Sequence, residues 1–189
     1  PVELFKKWFS KAEETEINDP NAVAVATSDH NNQPNVRMVL LKGLSDKGFV
    51  FYTNFNSKKG VELKVNQKAS MCFHWKSIRR QIRVLGKVEE VTSKEADEYY
   101  NSRPYKNRIS AWASSQSKVL DKRETFLEKL KEFEKKYPDH NNVPRPPHWS
   151  GWRLLPDQIE FWVDGEGRIH ERLNYKKSKD EWIKEILYP

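Results

Sequence analysis

The stretch Gln158-Ile-Glu-Phe-Trp162, continuing through Val163-Asp164-Gly165-Glu166-Gly167 into Arg168-Ile-His170-Glu-Arg172, reads as two β-strands joined by a glycine-containing turn. Side chains two residues apart on a strand share a face. On that period Arg168, His170 and Arg172 project from one surface, and the alternation that places Trp162 also exposes Glu160. Two guanidinium groups around an imidazole suit a phosphate or another multiply charged ligand. The competing reading is a solvated basic face. For Trp162 the default is a place in the core.

Working outward, the same alternation recurs along the chain. Strands are expected over 22–27, 36–42, 48–53, 69–75, 81–91, 151–163, 168–175 and 181–187, separated by turn-forming clusters such as Ser45-Asp46-Lys47-Gly48. Helices are expected over 2–16, 57–66, 93–101 and 121–136, with a short piece near 109–113. Leu4, Phe5, Trp8, Phe9 and Ala12 form the apolar stripe of the first helix, and Ser57 is placed to cap the second. Pro138 to Pro147 holds four prolines and reads as a loop too short to link domains. Consecutive hairpin-like strands with few long helices favour a mainly β, mostly antiparallel barrel with peripheral helices (α+β) over a βαβ sheet. The expectation is one domain spanning 1–189, a length that supports a full core.

Composition narrows the function. Charged residues are 32% and aromatics 12% of the 189 residues, and mean hydropathy is −0.91. Aromatic and aliphatic segments alternate with charge, the pattern of a folded chain rather than a disordered one. The net charge of +7 suits an anionic partner. The 27 acidic residues are interleaved with the basic ones, which argues against a nucleic-acid-binding stripe. No apolar stretch has transmembrane length, so no membrane partner is expected. Cys72 is the only cysteine; it sits in the apolar run 69–75, so it reads as a buried thiol in a cytoplasmic protein. The conventional hydrolase, thiol and zinc motifs are absent, the histidines are scattered, and no metal is expected. The chemistry is therefore expected from an organic cofactor.

Several groups are placed to hold anions. Arg37-Met38-Val39-Leu40-Leu41-Lys42 carries a cation at each end, but Arg37 and Lys42 differ in parity. A regular strand would aim them at opposite faces unless a bulge intervenes. Thr53, Ser57, Lys58 and Lys59 surround a helix start, where free N–H groups favour an anion, although a cap plus surface lysines fits as well. Tyr99, Arg103 and Asn107 are four apart, yet Pro104 interrupts any single helix and puts Arg103 at a helix end. Gln81, Gln116 and Ser117 supply neutral hydrogen-bonding groups.

Taken together, Arg37 to Lys42, Phe51-Tyr-Thr-Asn54, Arg80-Gln-Ile82, Ser102-Arg-Pro104, Ala111-Trp112, Gln116-Ser117, Gln158 to Trp162 and Arg168 to Arg172 resemble the pyridoxine (pyridoxamine) 5′-phosphate oxidase family over nearly the whole chain. The resemblance implies an FMN-binding split β-barrel that forms a homodimer with FMN at the subunit interface. It implies oxidation of pyridoxine 5′-phosphate and pyridoxamine 5′-phosphate to pyridoxal 5′-phosphate, with O2 as electron acceptor and H2O2 as product. By motif, the FMN contacts would be Arg37, Met38, Val39, Leu40, Leu41, Lys42, Tyr52, Thr53, Lys58, Lys59, Gln81, Gln116, Ser117, Trp162 and Arg172. The substrate contacts would be Lys42, Tyr99, Arg103, Asn107, Arg168 and His170, the last two acting at the reacting carbon. Three residues depart from the family's habit: Lys58 for arginine, Asn107 for serine and Ser110 for glycine. A related split-barrel flavoprotein with another substrate is the alternative; it need not keep Tyr99, Arg103, Arg168 and His170 together.

Overall fold

The computed structural model describes residues 1–179 and 181–189. The chain forms helices α1 (Val2–Thr15), α2 (Lys58–Val65), α3 (Ser93–Ser102), α4 (Tyr105–Ala113) and α5 (Arg123–Lys136). Its strands are β1 (Ala22–Ser28), β2 (Pro34–Leu40), β3 (Gly43–Ser45), β4 (Gly48–Asn54), β5 (Lys68–Trp75), β6 (Arg80–Glu90), β7 (Trp149–Val163), β8 (Glu171–Ser178) and β9 (Glu181–Leu187). The sheet order is β2-β1-β5-β6-β7-β4-β3, with β8 pairing β7 and β9 pairing β8. The β1–β2, β1–β5, β3–β4, β5–β6, β7–β8 and β8–β9 pairings are antiparallel, as the hairpin-like order of the sequence requires. Two compact units result. The first is Pro1–Phe51, Glu62–Glu89 and Arg153–Pro189; the second is Tyr52–Val61 and Glu90–Trp152.

The first unit is built on alternation. β1 buries Val23, Val25 and Thr27, and β5 buries Ala69, Met71, Phe73 and Trp75. The stripe of α1 closes this core. Phe5 is fully buried and meets Phe49 edge-on at 4.9 Å and Phe73 at 5.1 Å between ring centroids. β2 lies at the end of the sheet and leaves Val36, Met38 and Leu40 exposed.

The second unit carries α3, α4 and α5. Thr92 caps α3 in a capping box: its hydroxyl accepts from the Glu95 N–H, and the Glu95 carboxylate accepts from the Thr92 N–H. Ser57 caps α2 as its sequence position predicts, its Oγ accepting from the Gly60 N–H at 3.3 Å. Arg103 and Pro104 sit between α3 and α4, so the proline does break the helix and Arg103 occupies a helix end.

Two strand expectations are corrected. β2 stops at Leu40: Leu41 is buried and donates its N–H to Asn21, while Lys42 donates to Val50 in the next hairpin. A break at Leu41–Lys42 therefore takes the place of the regular strand, and the parity conflict between Arg37 and Lys42 disappears with it. The second correction concerns 168–175, where the strand begins only at Glu171. Gly167 (φ 63°, ψ 20°) and Arg168 (φ 66°) are both left-handed, and the Ile169 N–H closes on the Glu166 carbonyl at 3.1 Å. That is a two-residue primed turn, which matches the twist of flanking strands. Gly165 is tightly packed beside it, because a Cβ there would stand 1.9 Å from the Ile169 carbonyl oxygen. Arg168, His170 and Arg172 therefore do not share one strand face: Arg168 is at the turn, His170 follows it, and only Arg172 lies in β8.

Candidate functional site

In the second unit, a buried lysine organises a polar cluster. The start of α2 aims Lys59 inward, and its Nζ reaches Gln116 Oε1 at 3.0 Å, Thr53 Oγ1 at 3.1 Å and Ser57 Oγ at 3.4 Å. Thr53 is 6% exposed, Ser57 0% and Lys59 8%. Gln116 and Ser117 lie in the exposed segment after α4, with Ser117 in the left-handed region at φ 70°. Lys58 is exposed. An ammonium group at a helix start, with hydroxyl and amide groups beside it, is a setting in which an oxyanion such as the phosphate of FMN can be held.

The same unit stacks aromatic rings. Tyr52 lies on Tyr99 at 4.0 Å and is nearly parallel to Trp149 at 5.4 Å. The Arg103 guanidinium sits 4.7 Å from the Trp149 ring centroid. Its Nη1 is buried and has no hydrogen-bond partner among the described residues. Burial pushes the Arg103 pKa down against the opposing influence of Tyr99 and Tyr100, and burial raises the Tyr99 phenol. A guanidinium that is desolvated and incompletely satisfied is poised to gain from an anion. Asn107 is exposed on α4. Trp149 was not singled out in the sequence; nothing in its local pattern distinguishes it from a core tryptophan.

In the first unit Arg37 and Arg172 are already paired. Arg37 Nη2 meets Glu62 Oε2 at 3.0 Å, and Nη1 donates to the Val25 carbonyl and to Thr27. Glu62 is 3% exposed. Burial alone would raise its carboxyl; hydrogen bonds from Thr27 and Asn35 and the charge of Arg37 outweigh it and hold the pKa below the usual value. Glu160 repeats the arrangement. It is 2% exposed rather than solvent-facing, which corrects the expectation from alternation. Arg172 grips it through Nε at 2.9 Å and Nη2 at 3.2 Å, and Arg83 also donates to it. Here too burial would raise the carboxyl, and the two guanidiniums lower it. Neither carboxylate's role is legible from residue pattern alone, because a strand or helix period does not reveal a cross-strand or cross-element ion pair.

The remaining expected residues of this unit are Met38 and Leu40, exposed on β2; Val39, half-buried there; Leu41, buried; Lys42, exposed; and Gln81, half-buried opposite His74 in the β5–β6 pair. Trp162 is half-buried rather than in the core, its ring 4.6 Å from that of His170. Arg168 is exposed at the turn. Thus the structure gathers Thr53, Lys59 and Gln116 in one cluster, Tyr52, Tyr99 and Arg103 in another, and Trp162 with His170 in a third. Among the described residues no group of histidine, cysteine and carboxylate side chains is arranged to hold a metal, and no helix is long and apolar enough to cross a membrane.

Residues 9–137 match the family model for pyridoxamine 5′-phosphate oxidase, and residues 149–189 match that for the pyridoxine 5′-phosphate oxidase C-terminal dimerisation region. The chain belongs to the pyridoxamine 5′-phosphate oxidase family, whose members are FMN-dependent oxidoreductases. Within the family it is 59% identical over 190 residues to a pyridoxine/pyridoxamine 5′-phosphate oxidase of Pelagibacter ubique, covering 100% of this chain and 91% of that one. It is 52% identical over 191 residues to the enzyme of the same name from Agrobacterium fabrum, covering 100% and 92%. Among solved structures, PhzG from Burkholderia lata, in complex with tetrahydrophenazine-1-carboxylic acid, superposes with a TM-score of 0.94 at 30% identity, covering 100% and 92%. A pyridoxamine 5′-phosphate oxidase-related, FMN-binding protein from Nostoc punctiforme shares the fold, with a TM-score of 0.79 at 18% identity over 100% and 98% of the two chains. The family's split β-barrel is thus the fold of this chain.

Proposed function

We propose that the protein oxidises pyridoxine 5′-phosphate and pyridoxamine 5′-phosphate to pyridoxal 5′-phosphate, using O2 as acceptor and releasing H2O2, as a homodimer. The observation that carries the reading is the Arg103 guanidinium on Trp149, near Tyr99, whose buried Nη1 has no hydrogen-bond partner among the described residues: a desolvated, planar cation suited to a phosphate monoester. The 59% identity to an oxidase of these vitamers over the full chain supports the same substrate class.

We assign Lys59, Thr53, Gln116 and Ser117 to the FMN phosphate, with Lys58 as an outer charge. Arg37 to Lys42, Tyr52, Gln81, Trp162 and Arg172 are assigned to the rest of the cofactor. When bound, FMN supplies the two-electron acceptor that no side chain provides. Lys42, Tyr99, Arg103 and Asn107 are assigned to the substrate phosphate. Arg168 and His170 orient the alcohol or amine on the reacting carbon, and Nε2 of His170, without a hydrogen-bond partner among the described residues, is the nitrogen turned to that ligand. Holding the substrate in one pose removes much of the entropic barrier.

The test is aerobic turnover of pyridoxine 5′-phosphate by the purified, FMN-loaded protein, with aldehyde and peroxide followed in one cuvette. Equal amounts of both support the reading. A flavin-bound protein that leaves both B6 phosphates untouched sinks it and moves the assignment to a family member with another substrate, of which PhzG is the structural precedent.

A further inference from the structure

We propose that Asp164 is a positioning residue that fixes which ring nitrogen of His170 faces the substrate, and that Arg79 holds Asp164 for this purpose. The inference rests on the reading of His170 as a substrate contact. Asp164 follows directly on β7 and is tied at three points. Its backbone N–H donates to the Arg79 carbonyl at 3.1 Å; the Arg79 Nε donates to its Oδ2 at 2.8 Å; the Arg79 Nη2 donates to the same oxygen. Arg79 is itself in a left-handed backbone conformation, at φ 53°, as the connection between β5 and β6 turns toward Asp164. Both guanidinium contacts use Oδ2, so Oδ1 remains for the imidazole, and it lies 3.2 Å from His170 Nδ1.

The same Nδ1 is 3.2 Å from the Gly165 N–H. One ring nitrogen therefore has a donor and an acceptor at equal distance. When Nδ1 carries no proton, Gly165 donates to it and Nε2 bears the hydrogen. When Nδ1 carries one, Asp164 accepts it. Either way Nδ1 stays turned inward and the ring keeps its orientation, while Nε2, which has no hydrogen-bond partner among the described residues, faces away. A proton can then be taken up or released at Nε2 without the ring having to rotate. Trp162, 4.6 Å from the imidazole centroid, limits tilting of the ring. The Arg79 side chain is 71% exposed, so its pair with Asp164 adds little to stability, and its role is better sought in orientation.

The experiment uses the full-length FMN-loaded protein with histidine labelled by 15N, as wild type, Asp164→Ala, Asp164→Asn and Arg79→Gln. Asp164→Ala is expected to change the 15N signature of His170 while leaving FMN affinity unchanged. It should lower kcat/KM for pyridoxine 5′-phosphate about tenfold, mainly through kcat. Asp164→Asn, which keeps an acceptor oxygen, should recover part of the loss, and Arg79→Gln should fall between. In a His170→Ala background Asp164→Ala should cost nothing further. His170 signals identical in wild type and Asp164→Ala, or a full tenfold loss persisting without His170, would overturn the proposal. Should the wild type fail to oxidise the B6 phosphates, the proposed function fails, and the His170 spectra still decide the role of Asp164.

Discussion

Replacing Arg168 with glycine should raise the stability of the fold while lowering activity. Arg168 sits at φ 66° in the second central position of the turn between β7 and β8, directly after Gly167 at φ 63°. An L side chain in this region costs about 1–2 kcal/mol through contact between Cβ and the backbone. Glycine removes that cost but gives the unfolded chain more freedom, which returns about 0.4–1 kcal/mol. The net gain is about 0.5–1 kcal/mol, or roughly 1–4 °C in Tm for a chain of this size. Alanine keeps the Cβ, so Arg168→Ala should melt with the wild type. If Arg168 donates a charge-assisted hydrogen bond to substrate, each variant loses about 1.5–3 kcal/mol of transition-state binding, roughly a 10- to 150-fold drop in kcat/KM. Calorimetry at saturating FMN, paired with steady-state rates, separates the two effects. Two results would refute the reasoning: Arg168→Gly melting no higher than Arg168→Ala, or full activity in both. The first would mean that the backbone relaxes without strain, the second that the arginine is surface decoration.

Other perturbations address the remaining clusters. Lys59→Ala should weaken FMN binding by about 10- to 100-fold, as loss of a charge-assisted contact of about 1.5–3 kcal/mol predicts, and fluorescence titration of the released flavin checks it. Arg103→Lys keeps the charge but loses the planar fork, so KM for the phosphorylated substrate should rise while KM for an unphosphorylated analogue stays constant in steady-state assays. Glu160→Gln should cost about 2–3 kcal/mol in denaturant unfolding, less than a fully enclosed pair because the Arg83 side chain is 44% exposed and can rehydrate. Glu62 and Glu160 have depressed folded pKa values, so their stabilisation is fully present above the unfolded value near 4.3 and is lost as pH falls through the lower folded values. Unfolding measured from pH 6 downward should therefore weaken below about 4.3, and less steeply in Glu160→Gln.

The sequence carried the strands well because each core strand alternates cleanly: Ala69, Met71, Phe73 and Trp75 can be read inward without a structure. Ser57 as a cap and Arg103 as a helix end followed from local chemistry, a hydroxyl before a helix and a proline after an arginine. The failures occurred where tight turns or pairing between elements overrode the local period. Leu41–Lys42 looks like a continuation of β2, but its N–H groups are claimed by Asn21 and Val50. Arg168 looks like the start of a strand, but Gly167 and a primed turn take it. Glu160 is polar at an alternating position, and the arginines at 83 and 172, on the neighbouring strands β6 and β8, explain its burial. The Glu160–Arg83 pairing lies beyond any window of local sequence.

Those hidden carboxylates alter the meaning of the positive charge. Arg37 and Arg172, which the family pattern assigns to FMN, each share a buried carboxylate, Glu62 and Glu160. Their charge is largely spent within the fold, so they present oriented N–H groups more than net positive potential. Arg172 uses Nε, Nη1 and Nη2 once each on Glu160 and the Tyr188 carbonyl, leaving two of its five N–H groups for a ligand. A clamped guanidinium of this kind serves a ligand through the direction of its N–H groups rather than through long-range attraction, which is the part we propose for Arg37 and Arg172 in holding the cofactor. A ligand of the wrong shape would gain little from such groups, so the clamps favour selectivity over raw affinity.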